Sequence, residues 1–254
     1  MNGHEGVVKV LLERIDLNPD VADSWGRSSL SLAASNGHVE VVKLLLERAD
    51  INPERADFWG RRPLSLAAEN GHDKVVKVLL EQEGVDPNSV DTKYGQTPLS
   101  WAAEMGHEAV IAVLLERDDV SLEIADKNGR TPLSLMAENL GNEAVVKLLL
   151  TQKNVDPGQL DNYGRTPLWR AACNGNELVF RLLPNRNHVN PNKADENNQT
   201  PLWWAASYWH EEIVKLLLAR DDVNPNKPNK YGDTPLELAT TQKHPEVARP
   251  LRIF

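Results

Sequence analysis

Among 254 residues there is one cysteine, Cys173, so no intramolecular disulfide is possible and a reducing compartment, cytoplasmic or nuclear, is expected. Basic residues are in the minority: 28 Lys and Arg stand against 37 Asp and Glu, a net charge of -9. That is the wrong sign for neutralising phosphates or lying on an anionic membrane, so neither nucleic acid nor membrane is the expected partner. No apolar run approaches the roughly 18 residues that span a bilayer. Near the N-terminus "VVKVLL" is interrupted by Lys9 and does not make a secretory h-region. A glycine-rich phosphate loop, zinc-ligand spacing and a hydrolase elbow are all missing, so no cofactor or metal is expected. What is present is a hydrophobic content of 41%, enough to bury a core.

The core-building residues come in a repeated phrase. "TPLSWAAEMGHEAV", from Thr97, has counterparts beginning at Ser28, Arg62, Thr131, Thr166, Thr200 and Thr234. A glycine before each phrase marks the period: Gly26, Gly60, Gly95, Gly129 and Gly164, then Asn198, then Gly232, in steps of 34 or 35 residues. A period of that length is the mark of a solenoid, whose units cannot bury an apolar face alone and stack to make a core. Thr97-Pro98 reads as an N-cap with proline in the first turn. Leu99, Ala102 and Ala103 share one face of the short helix that follows, and Gly106 ends it. A second helix is expected from about Glu108 to Glu116, with Val110, Val113 and Leu114, and triplets such as Leu44-Leu45-Leu46 and Leu148-Leu149-Leu150, filling the layer between units. Asp-Pro and Asn-Pro turns stop it, and an extended finger leads to the next "D-x-W/Y-G".

Turn, "TPLxxAA", "NGH" and "VVKLLL" together resemble the ankyrin repeat from Gly3 to about Val247. The serines after "TPL", Trp101 in "SWAA" and the "DVNPN" loops are similar to arrays of filamentous fungi. The resemblance implies an all-α solenoid of stacked helix-turn-helix repeats with β-hairpin fingers and a concave groove between fingers and inner helices. The expected organisation is a single domain, 1–254, with an N-terminal half repeat at 1–22 and repeats starting near 23, 57, 91, 126, 161, 195 and 229. The half-repeat start suggests either a fragment of a larger protein or a stack that begins with a bare half-unit. Irregularities cluster at 139–210: an extra residue in Asn139-Leu140-Gly141, Pro184 at a leucine position, and Trp209 where glycine is expected. Another extra residue lies in the finger Asp91–Gly95.

Most candidate chemistry dissolves into the repeat. His4, His38, His72, His107, His210 and His244 recur at unit spacing; units about 8–10 Å apart cannot converge on one zinc at about 2.0–2.1 Å, so these histidines are expected to tie adjacent loops. Asp23, Asp57, Asp91, Asp126, Asp161 and Asp195 are expected to make local turn hydrogen bonds. Glu69, Glu104 and Glu138 form a stripe at the inner-helix ends, read as an acidic rim. Cys173 and His188 fall on different sides of a repeat, too far apart for a nucleophile and its base. Asn198-Gln199-Thr200 matches a glycosylation triplet but replaces "G-R-T" of a finger turn.

The aromatics stand apart. Seven tryptophans accompany three phenylalanines. Trp25, Trp59, Tyr94, Tyr163 and Tyr231 precede finger glycines; Trp101, Arg170 and Trp204 share one inner-helix position, and Tyr208 lies one turn beyond Trp204. These residue types concentrate binding energy at interfaces. The expected function is a non-catalytic scaffold that recognises a partner protein through Trp59, Tyr94, Trp101, Tyr163, Arg170, Trp204 and Tyr208. Two alternatives stand beside it. One is a small-molecule binder or unusual enzyme with an aromatic-lined pocket in 139–210 and Glu104 or Glu138 as its acid; the other is a sensor segment of a larger fungal receptor-like protein.

Overall fold

The structure is a computed structural model that describes residues 4–14, 18–138, 143–183 and 189–253. Helices are the only regular elements among those residues. The chain divides into two compact units, Met1–Lys127 and Asn128–Phe254. The first holds α1 (Glu5–Leu12), α2 (Ser29–Ser35), α3 (Val39–Leu46), α4 (Pro63–Glu69), α5 (Asp73–Leu80), α6 (Pro98–Met105) and α7 (Glu108–Leu115). The second holds α8 (Pro132–Glu138), α9 (Glu143–Thr151), α10 (Pro167–Cys173), α11 (Glu177–Leu182), α12 (Pro201–Ser207), α13 (Glu211–Leu218), α14 (Pro235–Thr241) and α15 (Pro245–Leu251). From α2 onward, even-numbered helices are the inner member of each pair and odd-numbered ones the outer member.

Every inner helix except α4, which follows Arg62, starts where a hydroxyl can cap it. The Thr97 side chain accepts from the Ser100 N–H, Thr166 from Trp169, Thr200 from Trp203 and Thr234 from Glu237. Proline sits in the first turn, where its missing N–H leaves no bond unmade. The buried serines complete the cap, Ser100 Oγ lying 3.0 Å from Thr97 Oγ1. Alanines Ala67, Ala68, Ala171 and Ala172 are fully buried, which lets neighbouring inner helices approach closely. Outer-helix residues such as Val76, Leu79, Ile111, Leu149, Phe180 and Val214 are at most 1% exposed. Each such leucine contributes roughly 1.5–3 kcal/mol.

The histidines tie units together. His72 Nε2 lies 3.1 Å from the Ser35 carbonyl, His107 Nε2 3.0 Å from that of Glu69, and His210 Nε2 3.1 Å from that of Cys173. Each ring occupies space left by a glycine with positive φ: a Cβ on Gly37 would stand 2.6 Å from the His72 ring, and one on Gly175 2.5 Å from His210. Trp209 breaks the series. It takes φ +64 itself, and the His244 ring stacks on the indole at 4.1 Å.

The expected β-hairpins are not formed among the described residues. Successive fingers are joined by one backbone bond each, Phe58 N–H to Trp25 O, Thr92 N–H to Trp59 O and Lys127 N–H to Tyr94 O in the first unit, Asn162 N–H to Asn128 O and Lys230 N–H to Asn197 O in the second. Such a joint is too short for a ladder. The fingers are side-chain-anchored turns instead: Asp57 Oδ1 accepts from the Trp59 and Arg61 N–H groups, Asp161 Oδ1 from Tyr163 and Arg165, and in the last finger Asn229 Oδ1 from Tyr231 and Asp233, all at 2.9 Å. The irregularities at Asn139-Leu140-Gly141 and at Pro184 lie outside the described residues.

Candidate functional site

In the first unit the finger turns push aromatic rings outward. Trp25 is 52% exposed and stacks on Trp59 with centroids 5.5 Å apart. Arg61 lies over Trp59 at 5.0 Å while its other nitrogens reach Asp57 and Glu69 at 3.0 Å. Tyr94, 41% exposed, has Lys93 Nζ over its ring at 4.6 Å and meets Trp101 edge-on at 5.7 Å. Trp101, expected to contact a partner, is only 5% exposed. It packs beneath the Tyr94 edge as a staple, and its indole N–H has no partner.

The second unit carries the denser cluster. Trp204 sits among Trp169 (5.2 Å), Trp203 (5.4 Å) and Tyr208 (5.4 Å, near-parallel). Trp169 and Trp203 are 4% and 8% exposed; Trp204 is partly exposed and Tyr208 is 49% exposed. The Trp204 N–H donates to Asp195 Oδ2 at 3.0 Å and that of Trp203 to the Asp233 carbonyl at 3.2 Å. Tyr163, 49% exposed, lies under Arg165, whose guanidinium is 4.6 Å from that ring and 5.1 Å from Trp169. Arg170, the other inner-helix residue expected to contact a partner, is buried as well. At 2% exposure its guanidinium donates to Glu138 Oε2 and to Asp161 Oδ2, so it joins an inner helix to the preceding repeat and to its own finger.

The carboxylates of the acid–base alternative are engaged in the same way. Glu138 accepts from Arg130 and Arg170, and Glu104 from the Gln96 side-chain amide. Asp161 feels burial, which by itself would raise its pKa, but backbone donors from Arg165 and Tyr163 and the guanidinium groups of Arg170 and Arg165 outweigh it and hold the carboxyl below its usual range. Burial pushes the Cys173 thiol up to about 11, away from nucleophile chemistry, and His188 lies outside the described residues. No group of three His, Cys, Asp or Glu side chains suited to a metal occurs among the described residues. An open depression of about 520 Å³ lies on the outer helices between α3 and α5, lined by Val39, Lys43, Lys74, Lys77, Val78 and Glu81. It is charged and carries no aromatic wall, unlike the pocket that the small-molecule alternative requires.

Sequence reasoning passed over two features. The arginines after the finger glycines, Arg61, Arg130 and Arg165, bridge finger and inner helix; their signal was the recurrent "G-R-T/R-P". Phe58, 74% exposed at a fingertip, is the other, and its signal was an aromatic beside an aromatic in "DFWG".

No helix among the described residues is long and apolar enough to cross a membrane. Among curated proteins none matches this chain. The chain is similar to the human ASB11 ankyrin repeat domain, a solved structure, with 25% identity and a TM-score of 0.75 over 89% of this chain and 97% of that one. Domains built this way generally act as protein-interaction scaffolds and are typically non-enzymatic. The family described as Ankyrin repeats (3 copies) matches residues 1–57, 53–125, 118–193 and 169–252, and the chain, with its capped helix pairs and side-chain-anchored fingers, belongs to the ankyrin repeat family.

Proposed function

We propose that this chain is a non-catalytic scaffold that binds a partner protein through the finger and inner-helix side of its units. The observation that carries the reading is a contrast within the fingers: their backbones are pinned by an aspartate, or by Asn229 in the last one, yet Trp25, Tyr94, Tyr163 and Tyr231 stand 52%, 41%, 49% and 74% exposed on them. Rigid, exposed aromatic rings offer contact area at little entropic cost. Trp59 and Tyr208 extend the same surfaces, with Trp204 contributing its exposed part. Trp101 and Arg170 hold the scaffold. The carboxylates that catalysis would call on are committed to structural pairs, which supports the non-catalytic reading. A reducing site of action, cytoplasm or nucleus, fits a chain with one buried-leaning thiol, and the repeat wording fits fungal arrays.

The test is affinity capture with the intact chain, followed by quantitative binding. Tyr208→Ala and Trp59→Ala are each expected to weaken the captured partner by about 1–3 kcal/mol with thermal midpoints nearly unchanged. A partner indifferent to both substitutions overturns the assignment of the face.

A further inference from the structure

Fingers with three steps from aspartate to glycine divide the aspartate's work between its two oxygens. Oδ1 takes two backbone N–H groups, and Oδ2 takes a guanidinium: Arg27 at 2.8 Å on Asp23, Arg61 at 3.0 Å on Asp57, and both Arg165 at 2.8 Å and Arg170 on Asp161. Asp195 has the same turn, with the Asn197 and Gln199 N–H groups on Oδ1 at 2.9 Å. Its cations, however, have been exchanged. Gln199 stands where the preceding repeat has Arg165, and Trp204 where it has Arg170. The donor on Asp195 Oδ2 is now the neutral indole N–H of Trp204.

Three further observations converge on that carboxylate. Asp195 is partly exposed, whereas Asp57 and Asp161 are 6% and 5% exposed. Gln199 is 8% exposed, and its Oε1 is buried without a hydrogen-bond partner. Beside it Trp204 and Tyr208 lie stacked, 19° from parallel, with a half-exposed Tyr208 ring. Elsewhere in this protein such rings carry a guanidinium, Arg61 over Trp59 and Arg165 over both Tyr163 and Trp169; over Trp204 and Tyr208 the described residues place none. Cations on the neighbouring fingers are committed, Arg165 to Asp161 and Lys230 to Asn197. In the last repeat the finger-arginine position is Asp233, which adds negative charge to that side.

We infer that Asp195, Gln199, Trp204 and Tyr208 form a seat for an arginine side chain presented by a partner polypeptide. The guanidinium donates to Asp195 Oδ2 and Gln199 Oε1 and lays its plane against the Trp204–Tyr208 pair. Arginine fits better than lysine because a planar fork reaches two acceptors while stacking, as the protein's own arginines do. The inference rests on the proposed recognition function and names the partner's chemistry at this one place.

The test uses the intact chain labelled with ¹⁵N and a short glycine–serine peptide bearing one central arginine, beside its lysine and citrulline counterparts. The Trp204 indole N–H resonance, assigned by its loss in Trp204→Phe, should move saturably with the arginine peptide and bind the other two about tenfold more weakly. Asp195→Asn should abolish the response. Gln199→Arg should abolish it too, by supplying the guanidinium from within, while holding the thermal midpoint at or above that of the parent. Absence of movement, an equal response to citrulline, persistence in Gln199→Arg, or a lowered midpoint for that variant each overturns the seat. A captured partner that is sensitive to Tyr208→Ala yet needs no arginine removes this inference and leaves the recognition face standing; one indifferent to Tyr208→Ala and Trp59→Ala removes the face itself.

Discussion

Asp91, Gln96 and Trp101 in the first unit hold the same repeat positions as Asp195, Gln199 and Trp204 in the second, yet only the second tryptophan has a partner for its indole N–H. The cause is one residue of finger. Asp91 to Gly95 is a step longer than Asp195 to Asn198, and the longer turn brings three backbone donors to the carboxylate: Lys93 and Tyr94 on Oδ1, Gln96 on Oδ2. In the shorter finger both backbone bonds fall on Oδ1, and Oδ2 is left for a side chain. Loop length therefore decides whether an aspartate is spent on its own turn or offered to its surroundings. Identical residues follow different fates because a neighbouring backbone counts its donors differently.

The largest effect that would break this comparison is at the repeat before Asp195, where Oδ2 is most heavily used. Arg170→Leu strands Asp161, 5% exposed, without one of its two cations, and urea unfolding should show a loss of about 3–5 kcal/mol. Arg61→Leu, on a more exposed guanidinium, should cost about 1 kcal/mol or less. Equal losses would mean that burial does not set the weight of these bridges.

Acid should pick out the same carboxylate. The folded pKa of Asp161 lies below its unfolded value, so its contribution is present above the ordinary carboxylate range and is lost as pH falls through the folded value. Thermal midpoints followed from about pH 5 downward should fall less steeply in Asp161→Asn than in the parent, from a lower starting point. Trp204→Phe against Trp101→Phe sharpens the original pair. Both remove a similar ring, but only the first removes a bond to a carboxylate, so it should cost about 1–2 kcal/mol more. The smallest effect is chemical: with its thiol pushed up to about 11, Cys173 should alkylate slowly at pH 8 in the folded chain and rapidly in urea.

Much of this fold was legible in the sequence because each signal is local. Thr-Pro caps, paired alanines and the glycine before histidine fix the helix pair within a dozen residues, and the 34 or 35 residue step fixes the stacking. The fingers read as β-hairpins from the family resemblance because an extended turn and a strand pair share the same residue preferences; only the number of bonds between neighbours separates them. The aromatic positions were harder. Trp101 and Trp204 look alike in sequence, and what buries one and leaves the other partly open is the packing of residues some distance along the chain, such as Tyr94 on Trp101. Arg170 resembled an interface anchor for the same reason: nothing local announces that Glu138, 32 positions earlier, will meet it.

Trp209 bears on the far end of the second unit. A bulky residue held at positive φ stores strain of about 1–3 kcal/mol, and the Lys243 position, at φ +62, repeats the arrangement one repeat later. At this joint His244 does not hook the preceding carbonyl as His72, His107 and His210 do; it lies on the indole and turns its Nδ1 to Glu246 at 2.8 Å. The α14–α15 pair is therefore joined to the preceding repeat by a ring stack and by the Trp209 indole N–H donating to Gln242 Oε1 at 3.1 Å, in place of a histidine-to-carbonyl hook. Asp233, on the finger leading into α14, holds the Trp203 indole by its carbonyl. That bond makes the seating of α14 against α12 a condition for keeping Trp203 covered, so the last finger sets how much indole surface the cluster shows.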